Sequence, residues 1–386
     1  MRRSLALISA VCLLAVAGCT TGSADSDGPA ETVEELTEQG LTGLALLHRG
    51  FEGGDPEVDQ VLVFHDPETG QPVHRIALPE GAVDPMAPDL PVHSQFSEDW
   101  QYFVYAATEP SAIHIATLTD PEDATAPEGE ETEEGESPAA ISYQPVDAIS
   151  ASPEEVLSQP VVHGERLWFV SDNTQDGQPP QVMSVPLDAP GGTPNQEGTL
   201  ALGENQRPSD WALTPDGSLH IRNSVPTTQL NGAAGESLVV RQTDGSVVNA
   251  TLNVGGTQWQ SFGGGLVWGE GTAVLGPDPA LPDQAQAGAY LVAVDGQTHT
   301  ATRLLEDSDG PVLQYAPAPE RDAVLLQTEQ NWFRVDLEEG EVTETTELFP
   351  RFHDASMDGY PLVVRWAQEA PEDADASPSD EASEGS

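Results

Sequence analysis

Trp211-Ala212-Leu213-Thr214-Pro215-Asp216-Gly217-Ser218-Leu219-His220-Ile221 places a polar turn between two short apolar runs. Asp-Gly supplies the positive φ angles that a tight two-residue turn demands, so the stretch reads as a β-hairpin. Three other segments share the plan: Phe96-Ser97-Glu98-Asp99-Trp100-Gln101-Tyr102-Phe103-Val104-Tyr105, Ala316-Pro317-Ala318-Pro319-Glu320-Arg321-Asp322-Ala323-Val324-Leu325-Leu326 and Asp354-Ala355-Ser356-Met357-Asp358-Gly359-Tyr360-Pro361-Leu362-Val363-Val364. Outward from these lie more β-prone runs, among them Val61-Leu62-Val63-Phe64, Leu167-Trp168-Phe169-Val170, Tyr290-Leu291-Val292 and Trp332-Phe333-Arg334-Val335. Further turn signals stand at Asp244-Gly245, Asp295-Gly296 and Asp358-Gly359. Helical periodicity is almost absent between residues 41 and 368, so the spacing predicts an all-β, antiparallel domain.

The recurring unit resembles the aromatic-Ser-Pro-Asp-Gly repeat of WD40-like and TolB-like β-propellers, with the turn changed here to Ser97-Glu98-Asp99-Trp100 and Ala318-Pro319-Glu320-Arg321. That resemblance implies a β-propeller of six or seven four-stranded blades, in which N- and C-terminal strands share a blade and close the ring. Paired β-sandwiches are the alternative architecture for so many short strands.

The chain has 386 residues, 65 acidic and 13 basic, for a formal charge of −52, and every basic residue is Arg. Such a surface repels polyanions, which argues against nucleic-acid partners and against docking on anionic lipid through a basic patch. Without lysine there is no Schiff-base amine and no P-loop lysine. The two cysteines, Cys12 and Cys19, make neither a disulfide framework nor a cysteine zinc finger.

Residues 1–18 combine Arg2 and Arg3 with an apolar run that is short for a membrane span, and read as an export signal. Val16-Ala17-Gly18-Cys19 resembles the lipobox of bacterial lipoproteins, which implies cleavage before Cys19 and its acylation. The resemblance predicts a chain anchored by lipid at the extracytoplasmic face of the cell membrane. Acid-rich, apolar-poor composition predicts a disordered tether over 19–40, a loop insertion over 120–138 and a disordered tail over 369–386, around a folded domain spanning 41–368. Residues 20–40, 120–138 and 369–386 hold six, nine and seven acids.

In the propeller reading the innermost strands of separate blades converge on a channel. His93, His163, Asp210, Trp211, Trp259, Tyr315, His353 and Asp354 fall on or beside those strands and are the candidate ligand-binding set. His93, His163 and His353 with a carboxylate would suit Zn²⁺, although no His-x-x-x-His or Cys-x-x-Cys spacing supports a metal. Trp211, Trp259 and Tyr315 would suit stacking on a sugar, or equally blade-to-blade packing. Glu306-Asp307-Ser308-Asp309-Gly310 lacks the spaced acids of a calcium loop and reads as a turn. No nucleophile elbow or phosphate-binding glycine loop is present.

No cofactor and no catalytic residue is expected. The sequence predicts a non-catalytic binding module with a protein or glycan partner. A zinc-handling protein and a polysaccharide hydrolase or lyase are the alternatives.

Overall fold

A computed structural model describes residues 32–86, 92–120, 141–173, 177–200, 211–213, 217, 219–224, 236–242, 247–253, 271–275, 290–295, 298–306, 309, 312–318, 322–338 and 341–367. The segment expected to be an export signal, Cys19, most of the acidic insertion and the tail therefore lie outside the described residues.

The described chain is dominated by strands, with one seven-residue helix among them. That helix, α1 (Val33–Gln39), occupies the end of the segment expected to be an unstructured tether. Thr32 caps it, its hydroxyl accepting from Glu35 N at 3.2 Å, while Glu34 and Glu35 sit favourably in the first turn. Leu36 is the buried residue that pins it to the sheet below.

The first six strands are β1 (Gly43–Arg49), β2 (Gln60–His65), β3 (Pro72–Ala77), β4 (Tyr102–Thr108), β5 (Ser111–Thr119) and β6 (Ser142–Ser150). Next come β7 (Glu155–His163), β8 (Arg166–Asn173), β9 (Gln181–Pro186) and β10 (Asn195–Thr199). A third group comprises β11 (Trp211–Leu213), β12 (Leu219–Ser224), β13 (Glu236–Gln242), β14 (Val247–Asn253), β15 (Gly271–Leu275), β16 (Tyr290–Asp295) and β17 (Thr298–Arg303). The chain continues through β18 (Val312–Pro317), β19 (Ala323–Thr328), β20 (Asn331–Glu338), β21 (Glu341–Pro350) and β22 (Leu362–Ala367).

These strands form four sheets, not six or seven separate four-stranded blades closed into a ring, and the propeller expectation is corrected accordingly. One seven-stranded sheet runs β22-β1-β2-β3-β6-β5-β4, and a second runs β11-β12-β13-β14-β17-β16-β15. Two four-stranded sheets, β10-β9-β8-β7 and β18-β19-β20-β21, complete the set. The seven-stranded sheets arise because strands of neighbouring units pair in parallel, β3 with β6 at Ala77 and Ser142, and β14 with β17 from Thr251 and Thr298 onward. A strand edge carries unpaired N–H and C=O groups, and joining two edges satisfies them. Periodicity in a sequence shows where strands are but not which edges meet.

Two self-contained sandwiches do not describe the packing either, because the hydrophobic clusters run from sheet to sheet. Val104, Ile113 and Ile115 of the first sheet pack with Leu157, Leu167 and Phe169 of the second. Trp168 and Val182 pack with Trp211 and Leu219 of the third. Leu44, Leu46, Val363 and Trp366 of the first pack with Ala316, Leu325 and Trp332 of the fourth.

β1 pairs with β2 on one side and with β22 on the other, in a register that sets Gly43 opposite Ala367 and Leu47 opposite Leu362. All seven residues of β1 are buried. The first and last described strands are thus held side by side, and a seven-residue strand of about 20 Å separates the Gly43 end from the Arg49 end.

Candidate functional site

β1 ends in His48 and Arg49, a polar pair at the end of an otherwise apolar strand. Arg49 is fully buried. Its guanidinium Nη2 meets Asp358 Oδ2 at 3.4 Å, and its backbone N donates to Asp354 Oδ2 at 3.2 Å. Ala355 N donates back to the Arg49 carbonyl at 3.1 Å. Asp354 Oδ1 in turn accepts from Ser356 N at 2.9 Å and from the Ser356 hydroxyl in a very short hydrogen bond. Together these contacts fold residues 351–361 back over the end of β1. The Asp358-Gly359 turn signal lies in this loop, with Gly359 at φ +71°, and connects β21 to β22 instead of closing a tight hairpin. Burying a guanidinium is costly unless it is paired, and Asp358 of this loop supplies a carboxylate partner, while Asp354 satisfies the Arg49 backbone N–H.

His48 and His65 lie on the same face of the first sheet and lean together, Nε2 to Nε2 at 3.3 Å. The neighbours fix the tautomers. His65 Nδ1 faces the Gly70 carbonyl at 3.0 Å, and a carbonyl only accepts, so Nδ1 carries the proton and Nε2 is a lone pair. His48 must therefore donate from its own Nε2. That leaves His48 Nδ1 as a buried lone pair with no hydrogen-bond partner. Phe352 stacks on His65 at 4.2 Å, and Phe51 meets His48 edge-on at 4.9 Å. Burial, then His65 and then Arg75, pulls the His48 pKa down to about 3. Burial also lowers His65, to about 4, against the raising effect of the Gly70 hydrogen bond and with further lowering by Arg75. Both rings are neutral at physiological pH. Enclosed in this way, they lock β1, β2 and the loop at Phe352 together.

Arg365 on β22 forms a second polar centre. Its guanidinium lies 3.7 Å from the centre of the Trp100 ring and donates to the Ser97 carbonyl in a very short hydrogen bond, with Glu98 O at 3.4 Å. Burial lowers its pKa to about 10, although the surrounding Tyr143, Glu98 and Asp99 act in the other direction. Trp100 itself has φ +63° and its carbonyl accepts from the Tyr143 hydroxyl at 2.6 Å.

The residues singled out by sequence are dispersed. His93 lies in a single 3-10 turn, Val92–Ser94, where burial and then Arg365 pull its pKa down to about 4. His163 ends β7 and sits against the turn at Gly217, where a Cβ on residue 217 would come within 3.3 Å of Nε2. His353 is exposed in the loop before β22. Among the described residues no group of three or more His, Cys, Asp or Glu is placed to hold a metal ion. Trp211 is buried with Trp168, Val170 and Leu219, and Tyr315 with Leu326, Phe333 and Val335, so both serve the core and offer no exposed stacking face. Asp354 holds the Arg49 backbone as described. Asp210 and Trp259 lie outside the described residues.

Sequence reasoning missed His48, Arg49, His65 and Arg365. The available signal was an Arg at the end of an unbroken apolar run in a chain with few cations, Leu44-Ala45-Leu46-Leu47-His48-Arg49.

No family model and no curated protein matches the chain. Among solved structures it is similar to a functionally unknown protein from Desulfotomaculum acetoxidans DSM 771, at 11% identity and TM-score 0.43 over 83% of this chain and 84% of that one. It is similar to a candidate TolB from Agrobacterium tumefaciens at 15% identity and TM-score 0.34, over 81% and 91% of the two chains. A third likeness is to the C-terminal WD40 domain of Sif2, at 8% identity and TM-score 0.37 over 65% and 71%. These are distant, low-identity likenesses to TolB-like and WD40 folds, and no residue role is carried over from them.

Proposed function

We propose that the chain is a lipid-tethered, extracytoplasmic binding module without catalytic activity of its own. The observation that supports this reading is where the acid-rich segments leave the fold. Val33 N at the start of α1 donates to Asp120 Oδ1, the first residue of the acidic insertion, at 2.5 Å. Leu36 and Ile141 are core members of one hydrophobic cluster, and Leu41, Leu118 and Ala367 pack against it. These residues flank the N-terminal segment, both ends of the insertion and the start of the tail. A tether entering beside α1 would thus run next to the start of the acidic insertion at Asp120. In that arrangement the loops at the Arg49 end of β1, a strand's length from Gly43, would be the part free to meet a partner.

Two measurements test the reading. Metabolic labelling with an alkyne analogue of palmitate should mark the full-length chain, and Cys19→Ala should abolish both the label and retention in the membrane fraction. An unlabelled chain still held in the membrane fraction overturns the lipid tether. For the second, the purified full-length protein is incubated with extracted cell-wall and plant polysaccharides. We expect saturable binding to a single envelope fraction and no release of reducing ends. Reducing ends formed with enzyme turnover would replace this reading with that of a polysaccharide-active enzyme.

A further inference from the structure

We propose that the rim built by residues 50–59, 78–86 and 351–361 is a docking surface for a basic polypeptide segment with one apolar face, carried by a partner protein. The proposal rests on the binding-module reading and gives that module its contact surface.

Large apolar side chains left in water are few among the described residues, and three of them lie on these loops: Met86 at 64% exposure, Met357 at 61% and Val58 at 49%. Met is ordinarily a core residue, so two highly exposed thioethers on one rim call for an explanation. They come from loops far apart in sequence that are stitched together by backbone hydrogen bonds. Met357 N donates to Pro85 O at 3.0 Å, and Gly81 N donates to Glu57 O at 2.9 Å. The third loop is fixed to β1 through Arg49, Asp354 and Ala355. Gly50, at φ +83°, lets the first loop approach so closely that a Cβ there would lie 2.7 Å from the Ala355 Cβ. The apolar groups are therefore presented on a preorganised base, which reduces the entropy lost on binding.

The chemistry around the patch selects the partner. Asp55, Glu57, Asp59, Glu80 and Asp84 are all exposed on these loops. Two cations stand here: exposed Arg75 is engaged with Glu52 at 3.3 Å and lies over the Phe51 ring at 4.8 Å, and half-buried Arg351 lies over the Tyr360 ring at 5.5 Å. An apolar patch framed by carboxylates attracts a segment bearing Lys or Arg beside Leu- or Phe-type side chains, and polarizable thioethers adapt to such a face. Anionic lipid is repelled by the same frame, and a second copy would set acid against acid.

The test uses the full-length protein and a named probe, a fourteen-residue Leu/Lys peptide that forms an amphipathic helix, against an isomer with the same composition in scrambled order. Titration calorimetry at physiological salt should show the amphipathic peptide binding at one site at least ten times more tightly than the isomer. Met86→Ser with Met357→Ser should remove that tenfold preference, whereas Val73→Ser with Val146→Ser, at exposed positions elsewhere, should leave it intact. Thermal midpoints confirm that both double variants fold. Affinity that follows peptide charge alone, unchanged by the methionine substitutions, overturns the rim proposal. In that event, binding to the envelope fraction decides separately whether the module reading stands.

Discussion

Protonation of the buried imidazoles sets a direction for stability against pH. His48 and His65 titrate at about 3 and about 4 in the fold and near 6.5 when unfolded, so the unfolded chain binds protons first as pH falls. Their contribution is fully present above about pH 6.5 and is lost progressively as pH drops towards about 4 and then 3, on the order of a few kcal/mol for the pair. His93, also lowered to about 4, acts in the same direction. Urea midpoints measured from pH 7.5 to 4.5 should fall steadily in the native chain. A variant with both His48→Leu and His65→Leu leaves no imidazole in that pocket, and its midpoint should fall less steeply over the same range. Equal slopes would show that acid sensitivity comes from other groups. A second residue-scale prediction concerns Trp100, whose φ of +63° is a left-handed conformation that costs a bulky residue about 1–2 kcal/mol. Its ring meets Arg365 at 3.7 Å and Phe64 edge-on at 4.8 Å, and truncating a buried Trp costs about 3–5 kcal/mol. The packing loss exceeds the strain relief, so Trp100→Gly should destabilise the protein, yet less than Trp100→Ala, which loses the ring and keeps the strain. Denaturant unfolding of the two variants, with the order reversed, would exclude strain at this position.

At the scale of elements, the join between β18 and β22 depends on one amide. Gln314 Oε1 accepts from Val363 N at 2.8 Å, and its Nε2 donates to Pro361 O at 2.8 Å and to Gln327 Oε1 at 3.2 Å. Gln314→Leu keeps the volume but leaves the Val363 N–H and the Pro361 carbonyl unsatisfied in the core, each worth about 1–3 kcal/mol. We expect a loss of at least about 2 kcal/mol in chemical denaturation. Hydrogen exchange should accelerate first in β22, because this is the strand Gln314 secures. The elements themselves were largely legible in sequence: Leu167-Trp168-Phe169-Val170 and Trp332-Phe333-Arg334-Val335 are strands, and Gly217 takes the positive φ that its Asp-Gly turn requires. The partition into sheets was not, because a parallel contact as small as Ala77 with Ser142 leaves no mark on either strand's composition. Nor was the site. Hydropathy marks His48 and Arg49 as the end of a buried run, and only the returning loop with Asp354 and Asp358 shows that the run stays buried to its last residue. Sequence reading therefore looked to Trp211 and Tyr315, which are large and aromatic and are consumed by the core.

For the whole molecule, charge is the dominant long-range force. A net −52 on one chain opposes compaction, and the opposition is strongest where like charges are concentrated. Residues 122–137 carry eight acids and no base, and the insertion they belong to leaves the fold beside the N-terminal segment, which carries six more. Deleting 122–137 should therefore raise the thermal midpoint at low ionic strength by removing repulsion that converges on one region. Screening sets the control. At about 0.01 M salt the Debye length is roughly 30 Å and spans the region, whereas at about 1 M it is roughly 3 Å and the segments no longer sense one another. The native chain should gain stability as salt rises, and the midpoint difference between it and the deletion variant should shrink towards zero. A difference that persists at high salt would instead reflect the shorter loop, whose closure entropy does not depend on ionic strength. Scanning calorimetry on both proteins across that salt range separates the two causes. It also measures how much of the fold's stability depends on counterions, since the cohesion of the strands must hold against this repulsion.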